Sequence, residues 1–330
     1  MGFYSAHPTA STAWRLAVLM GANARTYKFA LAHALIEHAS RGQTSATLRS
    51  IATSYTSAIV QHSLDGPQAP ASLDLAPKDF LSLVKKFVEE SPEAALPSEE
   101  LVDAAARSMP GMVMQKFHNL RGGAETPDRF YSLRPSGPDA VVEFTPALMS
   151  IASSSEVHSL GSELTARWRI VEASFASGIG QSLMTQGLGV DRGLEHLLEK
   201  RRRRPVAGVG AAIVGFQYGR CLICWEPLTQ SDSVAIDHVF PFSLMTSART
   251  LLSPQLDLDA VWNLAPAHAS CNGQKSNRPP TRVEIFRLGQ RNEAIMLSPH
   301  PLRRTLELSL ALGGYRAGEG SWHKFLASVL

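Results

Sequence analysis

Cysteine is scarce in this chain of 330 residues: three cysteines are present, and the first 220 residues contain none. Such a sparse, odd-numbered set excludes the disulfide framework of a small secreted protein. Long hydrophobic runs are also missing, since no stretch of about 18 apolar residues occurs. The first residues show no basic segment followed by an apolar core and a cleavage site. We therefore expect a soluble, cytoplasmic protein that does not bind a membrane.

Charged residues are few as well, at 18% of the chain against 44% hydrophobic residues, which excludes wholesale disorder and a coiled coil. The net charge of +3 is the sum of two unlike parts. Residues 1–200 carry 17 basic and 20 acidic side chains, whereas residues 201–330 carry 15 and 9. A polyanion is therefore expected to bind the C-terminal part.

The length and the apolar spacing together predict two domains. Helical spacing dominates residues 1–200, apart from a Pro-rich break at 65–77 and two β-prone runs that predict a hairpin within 129–145. A boundary is expected near 199–210, where four consecutive arginines precede a proline. The predicted fold is mainly α with a small α+β region: a helical domain over 1–200, then a second domain over 201–330 that ends in a helical tail.

The three cysteines and one histidine form two pairs with the same two-residue spacer, Cys221 with Cys224 and His268 with Cys271. This spacing lets a short turn direct two ligands at one tetrahedral ion, and three thiolates with one imidazole form a closed structural zinc set. The 43 residues between the pairs are too many for a compact zinc finger. We therefore predict a zinc that joins the ends of a longer element. The alternative is three incidental buried thiols.

Residues suited to hydrolytic chemistry lie between and beside these pairs. A strand-like run ends at Asp237 and His238, Asn263 stands between the pairs, and Asn272 follows the last cysteine directly. This order would place an oxygen-ligated cation beside a histidine base, and hard oxygen ligands favour Mg²⁺ or Mn²⁺ over zinc. Taken singly, each residue has an ordinary interpretation as a capping pair or a turn.

The order C-x2-C, D-H-V-x-P, N-L and H-x2-C-N-x2-K covers residues 221–275, a sixth of the chain. It resembles the HNH endonuclease family in its free-standing prokaryotic form, whose domain has the ββα-metal fold. The resemblance implies that His238 is the general base, that Asp237 and Asn272 bind the catalytic Mg²⁺ or Mn²⁺, and that Asn263 holds the base-bearing loop. It also implies a structural zinc on the Cys-Cys-His-Cys set: Cys221, Cys224, His268 and Cys271.

The chain departs from part of the family at two positions. Some members have histidine where this chain has Asn272, and some have cysteine where it has His268. Neither change removes the chemistry, because an amide oxygen ligates a hard cation and an imidazole can replace a thiolate on zinc.

Basic residues flank the motif on both sides and are predicted to contact the backbone phosphates of DNA. They are Lys275, Arg278 and Arg282 after the motif and Arg201, Arg202, Arg203, Arg204 and Arg220 before it. The alternative for the run of four arginines is a solvated linker.

The sequence thus predicts a metal-dependent endonuclease that hydrolyses the phosphodiester bonds of duplex DNA. By analogy with similar free-standing proteins, it would act in restriction or antiphage defence, and residues 1–200 would serve target recognition, oligomerisation or regulation. One HNH centre cuts one strand, so cutting both would require a homodimer or successive nicks; a partner subunit of a defence system stays open. Two alternatives also stay open: a non-catalytic zinc module that binds DNA or a protein, and an RNA-directed nuclease.

Overall fold

The computed structural model describes residues 2–21, 25–91, 93–94, 96–120, 123–134, 140–176, 207–241, 258, 260–300 and 302–329. Within these residues the chain is mainly helical with small antiparallel sheets, which confirms the predicted fold class at that level. No helix in these ranges is long and apolar enough to cross a membrane.

The chain divides into two compact units. The first unit comprises Met1–Val157 and Arg167–Gln186, and the second comprises His158–Ala166 and Gly187–Leu330. The boundary predicted near 199–210 falls mostly outside the described residues.

The first unit combines helices with one three-stranded sheet. Its helices are α1 (Gly2–Ala6), α2 (Ala10–Arg15), α3 (Tyr27–Ser40), α4 (Leu48–Asp65), α5 (Phe80–Glu90), α6 (Glu99–Ser108) and α7 (Pro146–Ala152), with π-helical turns at Leu16–Met20 and Pro110–Met114. Helix α8 (Val157–Ala176) has residues in both units. The strands are β1 (Ser45–Thr47), β2 (Tyr131–Arg134) and β3 (Val141–Phe144), in the order β1-β3-β2 and all antiparallel.

Local sequence signals explain where these elements begin. Five helices of the first unit start after a Ser, Thr or Asp whose side chain accepts a backbone N–H of the first turn. These residues are Thr9, Thr47, Asp79, Ser98 and Thr145. Strands β2 and β3 are the two runs from which the sequence predicts a hairpin, and their antiparallel pairing confirms them; the connecting residues 135–139 lie outside the described part of the chain.

His118 places a titratable group in the core of the first unit. Its side chain is buried, and Nε2 accepts the backbone N–H of Phe130 at 3.0 Å, which requires a neutral ring. Burial, reinforced by the charges of Arg129 and Lys28, lowers the pKa of His118 to about 4. The unfolded chain keeps the ordinary value of 6.5. The neutral ring therefore contributes its full stability above pH 6.5, and this contribution is lost as the pH falls towards 4.

We expect replacement of His118 by glutamine to flatten this pH dependence. A glutamine oxygen can accept the Phe130 N–H and does not titrate, so the variant lacks the proton uptake that destabilises the native ring in acid. Calorimetric melting temperatures between pH 7 and 4 measure the effect. Wild type should lose more stability than His118→Gln over this interval, and parallel curves for the two proteins would contradict the assignment.

Besides its part of α8, the second unit contains α9 (Ala207–Val214) and a 3₁₀ turn at Gly215–Gln217. Strand β4 (Val234–His238), a second 3₁₀ turn (Val261–Asn263), strand β5 (Leu264–His268) and helix α10 (Ala269–Lys275) follow. Helices α11 (Arg282–Leu297), α12 (Leu302–Leu312) and α13 (Ser321–Ser328) form the helical tail that the sequence predicts. Trp262 is buried in the core of this unit. The centre of its ring lies 6.1 Å from that of Trp322 and 5.2 Å from that of Phe325.

Arg291 of α11 anchors the turn that leads into β5. Its guanidinium is 1% exposed and donates to the carbonyl oxygens of Val261, Trp262 and Leu264 and to the side chain of Asn292. Helix α11 thereby holds the backbone of the second 3₁₀ turn and of the first residue of β5. A buried guanidinium with this many acceptors is a structural anchor.

Replacing Arg291 with methionine should lower the free energy of unfolding by about 3 kcal/mol, because buried carbonyl oxygens lose their donor. Urea unfolding of the whole chain measures the loss. Arg303→Met is the matched control, since Arg303 pairs with Glu307 on a partly exposed helix face and such pairs contribute about 1 kcal/mol or less. Equal effects of the two substitutions would contradict an anchoring role for Arg291.

Candidate metal centre and adjoining polar site

Strands β4 and β5 and helix α10 form one small antiparallel sheet with a helix packed on it. The register pairs Val234 with His268 at one end and His238 with Leu264 at the other. Helix α10 starts directly after β5 and packs against both strands, so it runs back along the sheet towards the end of β4. The two halves of the sequence motif, separated by many residues in the chain, are thereby brought side by side.

The four predicted zinc ligands lie together where this sheet meets the segment after α9. Their ligand atoms are all within 4.8 Å of one another. The Nδ1 atom of His268 lies 3.3 Å from the sulfur of Cys224 and 3.8 Å from that of Cys271. A tetrahedral zinc with Zn–S bonds of about 2.3 Å separates its ligand atoms by roughly 3.4–3.8 Å. The cluster of Cys221, Cys224, His268 and Cys271 is therefore compatible with a zinc ion.

The orientation of the His268 ring supports this assignment. Its Nε2 atom lies 3.2 Å from the carbonyl oxygen of Pro227 and 3.7 Å from a carboxylate oxygen of Asp232. These acceptors favour the tautomer with the proton on Nε2, which leaves the lone pair of Nδ1 facing the sulfurs. An outer acceptor of this kind is the usual companion of a zinc-binding histidine.

The thiols also occupy an environment suited to a cation. Burial raises the pKa of Cys221, but backbone N–H groups of Cys224, His268 and Ile223 oppose it, and the net shift is downward. Burial and the neighbouring cysteines raise the pKa of Cys271 to about 11. A divalent cation at the centre of the cluster would relieve that repulsion and bind all three sulfurs as thiolates.

Arg287 of α11 braces the first cysteine pair. It donates to the carbonyl oxygens of Leu222 at 2.8 Å and Ile223 at 2.6 Å, and its guanidinium lies 4.8 Å from the centre of the Trp225 ring. Trp225 follows the second cysteine and has a φ of 69°, a left-handed conformation that costs energy for a residue with a side chain. Its contact with Arg287 helps to hold this conformation. No pattern in the sequence indicates these contacts of Arg287, because they form only when α11 packs against the turn that contains the two cysteines.

Asp237 and Lys275 form a buried ion pair at the end of β4. The Lys275 Nζ atom donates to Asp237 Oδ1 at 3.0 Å and to the carbonyl oxygen of His238 at 2.9 Å, and the two paired side chains are 1% and 4% exposed. Lys275, which the sequence predicts to contact DNA, is thus buried against Asp237 and the backbone of His238 in this structure. Lys275 fixes the backbone and the carboxylate of the Asp-His pair.

The second carboxylate oxygen of Asp237 lacks a hydrogen-bond partner within the described ranges, although it is buried. Burial raises the pKa of Asp237, while the hydrogen bond and the charge of Lys275 oppose the shift. A buried carboxylate oxygen is costly unless a donor or a cation meets it. Asn272 lies on α10 one helical turn before Lys275, on the same face of that helix. A carboxylate oxygen and an amide oxygen are both of the ligand type that hard cations take.

Asn263 fastens the segment that follows His238. Its Oδ1 atom accepts the N–H of Phe240 at 2.8 Å, and its Nδ2 atom donates to the carbonyl oxygens of Phe240 at 2.8 Å and Leu258 at 2.7 Å. Its own carbonyl oxygen accepts the N–H of Val239 at 2.9 Å. The side chain is fully buried. One amide thus fixes the chain immediately beyond the half-buried His238.

The other predicted DNA contacts have different surroundings. Arg282 is exposed at the start of α11, Arg220 is half-buried and donates to the carbonyl oxygen of Trp225 at 2.9 Å, and Arg278 is bound by Glu284. Arg201, Arg202, Arg203 and Arg204 lie outside the described residues. Glu284 was missed, although the pattern Thr281-x-x-Glu284 is a capping-box signal in the sequence.

Comparison with known proteins gave no match to a family model, a curated protein or a solved structure. The chemistry of the second unit is therefore inferred from its own residues. A closed set of one nitrogen and three sulfur ligands is suited to holding zinc rather than to activating water. Asp237, His238 and Asn272 carry a carboxylate, an imidazole and an amide, which are types of group that metal-assisted hydrolysis uses.

Proposed function

We propose that the second unit is an HNH endonuclease that hydrolyses phosphodiester bonds of DNA. The observation that carries the proposal is the buried, unpartnered oxygen of Asp237 beside His238, on a strand–strand–helix element joined by the Cys-Cys-His-Cys cluster. A structural zinc has no use for a carboxylate oxygen without a partner at the opposite end of the sheet. A hydrolytic cation needs such an oxygen as a ligand.

His238 would act as the general base that removes a proton from the attacking water. Imidazole is the side-chain group whose unperturbed pKa lies nearest neutrality, so it can accept this proton at physiological pH. Asn263 would keep the histidine-bearing segment in place, and Lys275 would hold Asp237 and the carbonyl of His238. Preorganisation of this kind lowers the reorganisation needed in the transition state.

Asp237 and Asn272 would hold Mg²⁺ or Mn²⁺. When bound, such an ion neutralises charge on the phosphate and stabilises the leaving 3′ oxygen. The four zinc ligands would contribute to folding and take no part in proton transfer.

Duplex DNA is the proposed substrate, because the excess of positive charge lies in residues 201–330 and Arg282 is exposed at the start of α11. A cytoplasmic role in restriction or antiphage defence follows from the resemblance alone, with residues 1–200 in target recognition, oligomerisation or regulation. A homodimer or a partner subunit would allow both strands to be cut.

A panel of nucleic acids tests the proposed activity. Supercoiled plasmid, linear duplex, single-stranded DNA and RNA are each incubated with the full chain and Mg²⁺ or Mn²⁺. We expect the supercoiled plasmid to be converted to open circles before linear product forms, since one centre cuts one strand. Cleavage of RNA alone would identify an RNA-directed nuclease. Binding of DNA without cleavage under either ion would instead favour a non-catalytic zinc module.

A further inference from the structure

Arg278 and Glu284 form a two-pronged ion pair where the chain passes from α10 to α11. Arg278 Nη1 donates to Glu284 Oε2 at 2.8 Å, and Nη2 donates to Oε1 at 2.6 Å. The Glu284 side chain is 4% exposed, whereas that of Arg278 is 40% exposed. Two parallel hydrogen bonds fix both the position and the plane of a guanidinium. Glu284 therefore holds a partly exposed cation in one orientation.

The carboxylate of Glu284 is itself held by a capping box at the start of α11. Its Oε2 atom accepts the N–H of Thr281 at 2.8 Å, while its own N–H donates to the Thr281 hydroxyl at 3.3 Å. Hydrogen bonds from Arg278 and Thr281 outweigh burial and lower the pKa of Glu284, so this carboxylate is ionised at neutral pH. Arg278 is thus paired with a charged carboxylate whose position is fixed by the first turn of α11.

The backbone places the pair next to the residue that binds Asp237: the N–H of Arg278 donates to the carbonyl oxygen of Lys275 at 3.1 Å, and the side chain of Lys275 donates to Asp237 at 3.0 Å. The hydrogen bonds that Arg278 donates to Glu284 raise the pKa of Arg278, and the charge of Asp237 adds to the shift. After burial, the charge of Glu284 contributes to the raised pKa of Asp237. The Arg278–Glu284 pair is therefore an electrostatic neighbour of the proposed catalytic site.

Arg278 keeps donors that the pair does not use. Besides its bond to Glu284, Nη1 donates to the carbonyl oxygen of Pro279 at 3.0 Å. Within the described ranges, no hydrogen bond involves Nε–H or the second N–H of Nη2. A guanidinium with a fixed plane and spare donors loses little side-chain freedom when it binds a phosphate oxygen.

We infer that Glu284 is a positioning residue, which directs the spare donors of Arg278 towards a phosphate of DNA bound beside Asp237 and His238. The inference rests on the proposed function for the identity of the ligand. It goes further by assigning a role to a buried acid that does not itself touch DNA. It also predicts that a negatively charged side chain strengthens the binding of a polyanion.

The Glu284→Gln variant separates this inference from a purely structural role. Glutamine keeps an acceptor for the Thr281 N–H. It has only one oxygen and no charge, so it cannot accept two hydrogen bonds from the guanidinium as the carboxylate does. We expect KM for plasmid cleavage, and Kd for a fluorescein-labelled duplex in Ca²⁺, to rise about tenfold, with kcat changing less. Simple electrostatics predicts the opposite sign, because the variant is more positive by one charge and should bind DNA more tightly.

Two further variants complete the experiment. Arg278→Lys keeps the charge without the planar fork, so it should weaken duplex binding by a similar factor. Ile285→Ala removes a buried apolar side chain from the first turns of α11 and leaves the pair and its capping box intact, so it should lower the melting temperature without raising KM. Unchanged or tighter binding by Glu284→Gln, or an equal rise of KM in Ile285→Ala, would overturn the inference.

The binding measurements keep the inference separate from the proposed function. If the wild-type chain binds the duplex and does not cut it, the nuclease proposal fails and the affinities alone decide the role of Glu284. If the wild-type chain cuts DNA and Glu284→Gln matches it in KM and Kd, the inference fails and the nuclease proposal stands. A wild-type chain that neither binds nor cuts DNA overturns both.

Discussion

His238→Ala should reduce Mg²⁺-dependent nicking of plasmid DNA by at least about a hundredfold, the usual contribution of a positioned general base. Alanine removes the imidazole and leaves the backbone carbonyl to which Lys275 donates. The zinc ligands lie elsewhere on the sheet, so zinc content and DNA affinity should stay near the wild-type values. Initial nicking rates, zinc content and duplex Kd on the same preparation measure all three.

His158→Ala is the matched control for this substitution. His158 is exposed on α8, so the same change of side chain there should leave the nicking rate unchanged. A His238→Ala protein that nicks DNA at the wild-type rate would remove His238 from the mechanism. Loss of zinc from that variant would mean that the substitution disturbs the fold, and the rate would then report stability rather than catalysis.

Cys221→Ser should cost the second unit its stable fold. Cys221 is fully buried, and its sulfur accepts the N–H of His268 at 3.4 Å, so the weaker ligand serine would leave a buried gap in the cluster. Structural zinc contributes roughly 10–16 kcal/mol of apparent binding free energy in zinc-finger peptides. This exceeds the whole stability of many domains, which is about 5–15 kcal/mol. Zinc content, tryptophan fluorescence and thermal unfolding measure the loss.

Ser270→Ala provides a control within the same turn. Ser270 is exposed between His268 and Cys271, so removal of its hydroxyl should preserve both zinc and folding. A strong chelator added to the wild-type chain should reproduce the effect of Cys221→Ser, because both changes remove the free energy of zinc binding from the folded state. A Cys221→Ser protein that is cooperatively folded and free of zinc would contradict a structural zinc at this site.

The Cys-Cys-His-Cys cluster could be predicted from the sequence because its geometry is encoded locally. Each pair uses a two-residue spacer that fits one turn, and two matching pairs leave little ambiguity about which four residues meet. The helices of the first unit are predictable for a similar reason, since apolar spacing and capping residues are properties of short segments. In both cases the pattern spans only a few residues.

Lys275 shows where that reasoning stops. Its position beside other basic residues suggests a surface contact with DNA, yet its partner Asp237 lies 38 residues earlier in the chain. Arg291 and Glu284 illustrate the same limit, because a charged residue on a helix normally marks its solvent face. Their burial depends on which element packs over them, and no local pattern records that. The interactions of Lys275 and Glu284 with the proposed site were therefore found only in the folded chain, whereas Asn263 was already indicated by the sequence motif.

We propose that one unit holds two metal sites with separate tasks, a zinc site for folding and an oxygen-ligated site for hydrolysis. The nicking rate as a function of added Mg²⁺, with zinc measured in the same sample, tests this proposal. We expect one zinc per chain on the Cys-Cys-His-Cys cluster, no nicking in EDTA at concentrations that leave the zinc bound, and activity that appears with Mg²⁺. A zinc-replete chain that stays inert in both Mg²⁺ and Mn²⁺, or that nicks DNA without either, would contradict it.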